Sequence, residues 1–349
     1  MTPTTNRPTT APPPELLEAA RRGDEAAYGQ LVSPHRAELH AHCYRMLGSV
    51  PDAEDALQEA LLRAWRGLPR FEGRSSLRSW LYTIATNACL RMIERRPRRV
   101  LPIDYGPSSD PHDGPDQPLT ESVWIDPYPD RQIGLWEGFT TPEARYDQRE
   151  SIELAFIAAL QLLPVRQRAV LILRDVLGLS ASEVAEALET TTTSVHSALQ
   201  RAHKTVDARR PEQSQQAALR ALGDDGLRRV VDRYVDAWER SDIDAVVAML
   251  ADDAVLAMPP IPNWYAGRAS VGAFLAAWPL AGNRRWRLRE VRANGQIAFA
   301  HYISDADSAP FAAHSINVLT LQGAQVSSIT AFMEPEMFGR FGLPAEIAG

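Results

Sequence analysis

The 349-residue chain has little cysteine and almost no lysine, and each shortage excludes something. Its two cysteines, Cys43 and Cys89, stand apart in helical patterns, so neither a disulfide framework nor a zinc motif of the CxxC kind is expected. Of 37 basic residues only Lys204 is a lysine, a bias that goes with the abundance of Ala, Arg and Pro and points to a GC-rich coding sequence. No stretch of eighteen apolar residues occurs, which excludes a membrane-spanning helix. The Thr/Pro-rich start, residues 1–14, has neither a basic nor an apolar run, so it is expected to be part of a disordered tail (residues 1–22) and not a targeting segment. A cytoplasmic protein without membrane contact is the expectation. HExxH, GxSxG, GxxxxGKS/T and GxGxxG are all missing, so no catalytic residue, cofactor or metal site is expected.

What is present is unevenly distributed. The net charge of -7 hides a strongly basic stretch, because Arg63 to Arg99 holds ten arginines against Glu72 and Glu94. Residues 23–99 carry apolar residues at helical spacing, broken at Gly48, Pro51, Pro69 and Gly73. One helix opens at Ser49, Pro51 and Asp52 and places Leu57, Leu61, Ala64 and Leu68 on one face, with Asp52, Asp55 and Glu59 on another. Residues 100–150 have no sustained period, many prolines and a reversed charge, the composition of an acidic, extended linker. The stretch Val123 to Asp130 (VWIDPYPD) is more aromatic than a spacer needs, so part of it is expected to dock.

Residues 151–210 read as a second helical module. Ser180 and Glu183 form a capping box for a short helix, a turn follows at Glu189 to Thr192, and a long helix turns Val195, Ala198, Leu199, Ala202 and Val206 inward. This is helix-turn-helix spacing. After a joint at 211–225, residues 226–349 open with helices near Leu227 to Ser241 and Ile243 to Ala251. Strand patterns then follow at Ala254 to Met258, Trp286 to Val291, Gln296 to Tyr302, His314 to Leu321 and Val326 to Met333. The fold class expected is therefore multidomain: two all-α domains followed by an α+β domain with a cone-shaped curved sheet.

Asp52 to Trp65 (DAEDALQEALLRAW), Ser75 to Leu90 (SSLRSWLYTIATNACL) and Leu162 to Ala202 together resemble the extracytoplasmic-function branch of the sigma-70 family. Met258 to Arg268 (MPPIPNWYAGR) resembles the SnoaL-like branch of the nuclear-transport-factor-2 superfamily. The first resemblance implies that residues 23–99 are sigma region 2 and residues 151–210 sigma region 4. It implies core RNA polymerase as a partner, through its largest-subunit clamp helices facing Asp52, Asp55 and Glu59 and its flap on the minus-35 side. Promoter DNA is the second partner. Arg74 and Ser75 lie in the loop implied to receive a flipped base of the minus-10 element, and Asn87 and Arg91 lie on the strand-reading helix. Trp80 and Tyr82 are of a type that stacks on unpaired bases, although Trp80 at helical spacing with Leu77, Leu81 and Ile84 is equally a core residue. On the long helix Thr193, His196, Ser197 and Gln200 are implied to read the minus-35 major groove, with Arg201 and Lys204 on phosphate. The linker is implied to thread the polymerase cleft.

The second resemblance implies a cavity able to take a small-molecule ligand, with Trp264, Tyr265, Trp278, Trp286, Phe299, His301, His314 and Phe332 as candidates to line it. Three readings stay open at this point. One is a sigma factor modulated in cis by its last domain, and another a ligand-responsive repressor or activator. The third is a cyclase or isomerase using His301 or His314 with Asp252 or Asp253. Only the first accounts for every block.

Overall fold

A computed structural model describes residues 13–119, 123–132, 149–209, 211, 213–305 and 310–348. The chain divides into two compact units: Met1–Arg99 with Gln132–Arg210, and Val100–Arg131 with Pro211–Gly349.

The first unit is helical. Helix α1 (Pro14–Arg21) occupies residues expected to be disordered; Pro14 suits the first helical turn and Ala20 is buried, which ties the segment down. Residues 1–12 of that expected tail lie outside the described residues. Asp24 caps α2 (Glu25–Val32), accepting a hydrogen bond from the Ala27 amide. Helix α3 (Arg36–Leu47) stops at Gly48, whose φ of 68° is the left-handed turn glycine supplies without strain. Helix α4 (Val50–Gly67) starts at the Ser49 cap and buries Leu57, Leu61 and Ala64, as its spacing predicts, while Leu68 just beyond it is also buried. Ser76 caps α5 (Leu77–Ile93).

The core of this bundle holds His42 entirely inside, where its Nε2 shares a 2.9 Å hydrogen bond with Thr86 Oγ1. Burial pushes the His42 pKa down to about 3, with Arg45 and Arg78 adding to the shift, against an ordinary 6.5. Between those values the unfolded chain takes up a proton that the folded chain refuses. Stability is therefore complete above about pH 6.5 and is lost as pH falls toward 3. At pH 4.5 the loss from this one group is about 2–3 kcal/mol. His42→Gln should flatten the fall in urea midpoint between pH 7 and 4.5.

Helices α6 (Pro102–Tyr105), α7 (Leu154–Leu162) and α8 (Val165–Leu171) come next in the chain; the last two belong to the first unit, and α8 runs on into a π turn at Ile172–Val176. The short helix α9 (Ala181–Ala187) carries the complete capping box expected of Ser180 and Glu183. Helix α10 (Thr192–Asp207) is capped by Thr191 and buries Val195, Ala198, Ala202 and Val206. The turn between them places Glu189 at φ 51°. Arg168 joins the two helical modules from inside the unit. Its guanidinium donates to the carbonyls of Met46, Gln161 and Leu163, and Gln161 Nε2 in turn donates to the Arg45 carbonyl at 3.2 Å. Arg45 bonds Ser151 through Nε (3.0 Å to the carbonyl) and Nη2 (2.8 Å to Oγ).

The second unit is built on a curved sheet. Its strands are β1 (Leu250–Ala257), β2 (Trp264–Ala266), β3 (Arg285–Ala293), β4 (Gln296–Ser304), β5 (Phe311–Gln322), β6 (Gln325–Phe332) and β7 (Glu346–Ile347). They run in the order β2-β1-β6-β5-β4-β3, with β7 beside β5. β1 and β6 pair in parallel, the other neighbours antiparallel. Helices α11 (Gln215–Glu239), α12 (Ile243–Ala248) and α13 (Arg268–Ala277) complete it, α11 kinking at Gly223. Val230, Tyr234, Ala237 and Trp238 recur along α11 at helical spacing and are buried in the core. Of the residues expected as a joint, those from Gln215 on begin α11, where Gln215 exchanges hydrogen bonds with the backbone of Leu321. β4 was expected to alternate between core and solvent, yet both faces are buried. Phe299 stacks on Tyr234 from one side, while Tyr302 on the other meets Phe338 and bonds the Pro344 carbonyl.

Residues 100–131, expected as an acidic, extended linker with only its aromatic stretch docked, form a strap on this second unit. Ser109 donates to the Trp264 carbonyl (2.8 Å), Asp116 to Asn263 Oδ1 (2.7 Å) and Leu119 to the Pro260 carbonyl (3.0 Å). Tyr128 and Asn294 exchange backbone and side-chain hydrogen bonds, and Ile125 and Tyr128 are wholly buried. Residues 133–148 of the expected linker lie outside the described residues.

Candidate nucleic-acid interface and cavity

The side chains expected to meet polymerase separate into two environments. Asp55 and Glu59 are exposed on α4, Glu59 pairing with Arg63, and Leu62 lies one turn on, 53% exposed. Asp52 does not share that surface. It is buried between Arg96 and Arg99, with Arg99 Nη2 at 2.7 Å from its carboxylate, because the chain after α5 folds back over the start of α4. This corrects the reading of Asp52 as a docking acid.

The loop before α5 is open: Arg74 is exposed and pairs with Glu72, and Ser75 is half-buried. Trp80 is half-buried and settles against Phe71, ring centroids 4.9 Å apart, with Gly67 close beneath its six-membered ring. Tyr82 is not available for stacking. It is fully buried, with Arg78 over its ring and His42 at its edge, and it belongs to the core. Asn87 and Arg91 are half-buried on α5; burial and then the neighbouring Arg63 lower the Arg91 pKa from its ordinary value.

The long helix of the helix-turn-helix presents what its spacing predicts. Thr193, His196, Gln200, Arg201 and Lys204 are exposed and Ser197 is half-buried, whereas Val195, Ala198 and Ala202 face inward. A capped helix with a polar row facing solvent and cations toward its end can enter a major groove and reach flanking phosphates.

In the second unit a cavity of about 400 Å³ opens among Trp238, Leu256, Met258, Phe274, Trp286 and Met333. His301 and His314 line it, as does Trp278. Trp264, Tyr265 and Phe332, expected there, do not. Trp264 turns to the strap and donates from Nε1 to the Gly106 carbonyl (2.8 Å), and Tyr265 is buried in a stack with Phe274. Phe332 falls on the opposite side of β6 from Ala331 and Met333, which do line the cavity. Phe299 is core. Asp252 and Asp253 are exposed on β1, Asp252 pairing with Arg268, so the acid-base pair considered for a cyclase is not assembled. Trp238 was missed, although its i, i+4 spacing from Tyr234 was there to be read. Burial, then Arg284, lowers the His314 pKa to about 4, and burial with His314 nearby holds that of His301 well below 6.5. Among the described residues no group of three His, Cys, Asp or Glu could hold a metal, and no helix is long and apolar enough to cross a membrane.

Sigma-70 region 2 matches residues 31–99, Sigma-70 region 4 residues 153–206, and a SnoaL-like domain residues 231–329. The ECF RNA polymerase sigma factor SigG of Mycobacterium tuberculosis is 42% identical over 327 residues, covering 93% of this chain and 85% of SigG. The ECF RNA polymerase sigma-E factor of Escherichia coli is 27% identical over 192 residues, 55% of this chain and 91% of its own. Among solved structures, the Mycobacterium tuberculosis extracytoplasmic function sigma factor SigJ shares the fold, with a TM-score of 0.56 at 22% identity over 89% of this chain and 97% of that one. Identity at the level seen with SigG, sustained across both helical modules and the curved-sheet domain, makes this chain a member of the extracytoplasmic-function family of RNA polymerase sigma factors.

Proposed function

We propose that the protein docks on the clamp helices of the polymerase's largest subunit through Asp55, Glu59 and Leu62, and on the flap through its second helical module. It captures the melted minus-10 strand with Arg74, Ser75, Asn87 and Arg91. Trp80 supports that loop from beneath through Phe71. The minus-35 duplex is read by Thr193, His196, Ser197 and Gln200, with Arg201 and Lys204 on phosphate. The C-terminal domain gates this activity in cis and receives a small-molecule signal in its cavity. The observation that carries the reading is the solvent-facing polar row of α10, held outward by a buried apolar row on the same helix.

Transcription with cognate core polymerase on fragmented genomic DNA, mapping new 5′ ends, tests it. Discrete starts sharing two upstream motifs are expected, and their absence with both the full chain and residues 1–210 would reject it. Starts that appear only with residues 1–210 mean that the last domain inhibits. Lys204→Ala is expected to weaken binding to minus-35 duplexes of any sequence to a similar degree. It should also lower the slope of log K against log salt by about one; an unchanged slope removes Lys204 from the phosphate contacts.

A further inference from the structure

At the floor of the cavity His301 is 1% exposed, and neither of its ring nitrogens has a hydrogen-bond partner among the described residues. Buried polar groups normally have one, and an orphaned donor or acceptor keeps the full cost of its lost hydration. The imidazole is held by packing instead. Trp238 stands perpendicular to it at 4.6 Å and Trp286 at 5.9 Å, so its edge is aimed without help from hydrogen bonds. Among the described residues, the charged groups that line the cavity are Arg284 and Asp305, both at its mouth and not at the floor. Burial keeps both His301 and His314 uncharged near neutral pH. At the mouth, the Arg284 guanidinium already meets the Trp278 carbonyl and lies 3.9 Å from Asp305. An ion carried to the floor would lose its hydration and find no counter-charge.

We infer that the cavity binds an uncharged, flat, mainly aromatic molecule whose one hydroxyl or carbonyl group hydrogen-bonds His301 between the two indoles, beneath the strap at Pro115. The imidazole offers one donor and one acceptor, so either group satisfies it. The volume lies within the range of small-molecule pockets, roughly 300–1,000 Å³. The strap overhangs the mouth closely: Pro115 is part of the lining, and a Cβ on Gly114 would stand 2.6 Å from Cζ2 of Trp278. Ligand entry and strap position therefore share the same space. This rests on the reading of the C-terminal domain as the regulatory module, but binding is measured without transcription, so either can fail alone.

Equilibrium dialysis of the full chain against 1-naphthol, naphthalene and 1-naphthoate tests the assignment. One saturable site is expected, preferring 1-naphthol to each of the others by about 10-fold, which corresponds to about 1.4 kcal/mol. His301→Phe should bring 1-naphthol to the level of naphthalene without weakening naphthalene. Ala331→Phe, which fills the cavity and keeps the imidazole, should abolish both. In the unaltered protein, the ring ¹⁵N resonances of His301 should move on adding 1-naphthol and not naphthalene, a readout that does not depend on the variants folding. Gly114→Val should raise the dissociation rate of 1-naphthol by lifting the strap. Equal affinities for naphthol and naphthalene, tighter binding of naphthoate, no saturable binding, or a naphthol preference that survives His301→Phe would each overturn the proposal. Binding as expected with unchanged transcription would keep the site and reject the gating.

Discussion

Changing Asp55 and Glu59 together to arginine is expected to weaken binding to core polymerase by more than about 100-fold. The proposed partner surface is basic, so the exchange replaces two attractions by two repulsions, and like charges brought together at an interface cost several kcal/mol. Both side chains are exposed on α4 and one turn apart, and the buried apolar residues of that helix, Leu57, Leu61 and Ala64, point the other way. The fold should therefore be indifferent to the change, with circular dichroism and urea midpoint unaltered apart from a few tenths of a kcal/mol for the Glu59–Arg63 pair. Fluorescence anisotropy of the labelled protein titrated with core enzyme provides the measurement. Undiminished affinity would show that α4 is not the docking helix.

Asp52→Ala should act in the opposite way, on stability first. Its carboxylate lies between Arg96 and Arg99, and the Arg99 side chain is only 10% exposed. Removing one partner of a buried ion pair deprives the other of that counter-charge, at a cost of up to about 3–5 kcal/mol. The expected result is a large drop in the urea midpoint of the first unit and faster amide exchange in α4 and in the turn after α5. Asp52→Asn, which keeps an acceptor for Arg99, should lose less. If Asp52→Ala leaves exchange unchanged, the pairing with Arg99 is not what closes that end of the bundle. The two experiments separate neighbouring acids that the helical spacing alone puts together.

That contrast marks the boundary of what the sequence makes legible. Helix caps are local: Ser49, Ser180 and Glu183 and the inward row of α10 are within a few residues of the groups they bond or pack against, and all can be read directly. The partners of Asp52 come from the chain beyond α5, and no period links them. Alternation along β6 shows that Phe332 and its neighbours face opposite ways, but not which way is the cavity. Choosing the aromatic side as the lining reverses the assignment, because a one-residue shift exchanges the faces of a strand. The strap is the intermediate case. The aromatic stretch 123–130 shows that something docks there, and Trp124, Ile125 and Tyr128 are indeed buried. That it docks on the C-terminal domain depends on Asn263, Trp264 and Asn294, more than a hundred residues later.

The strap also sets the length of a tether. The minus-10 and minus-35 elements, about 25 base pairs apart, are roughly 80 Å apart along straight DNA, while Arg45, Gln161 and Arg168 hold the two reading modules in direct contact. Reading both elements at once requires those bonds to part. With the strap free, the modules are joined by about 50 residues of chain; with it docked, about 20 remain between its end and α7. A shorter tether raises the local concentration of one module about the other, so docking favours their contact. A bias of that kind tilts the contact between the modules without locking it. It leaves the opening within reach of what polymerase binding, or a ligand under the strap, can supply.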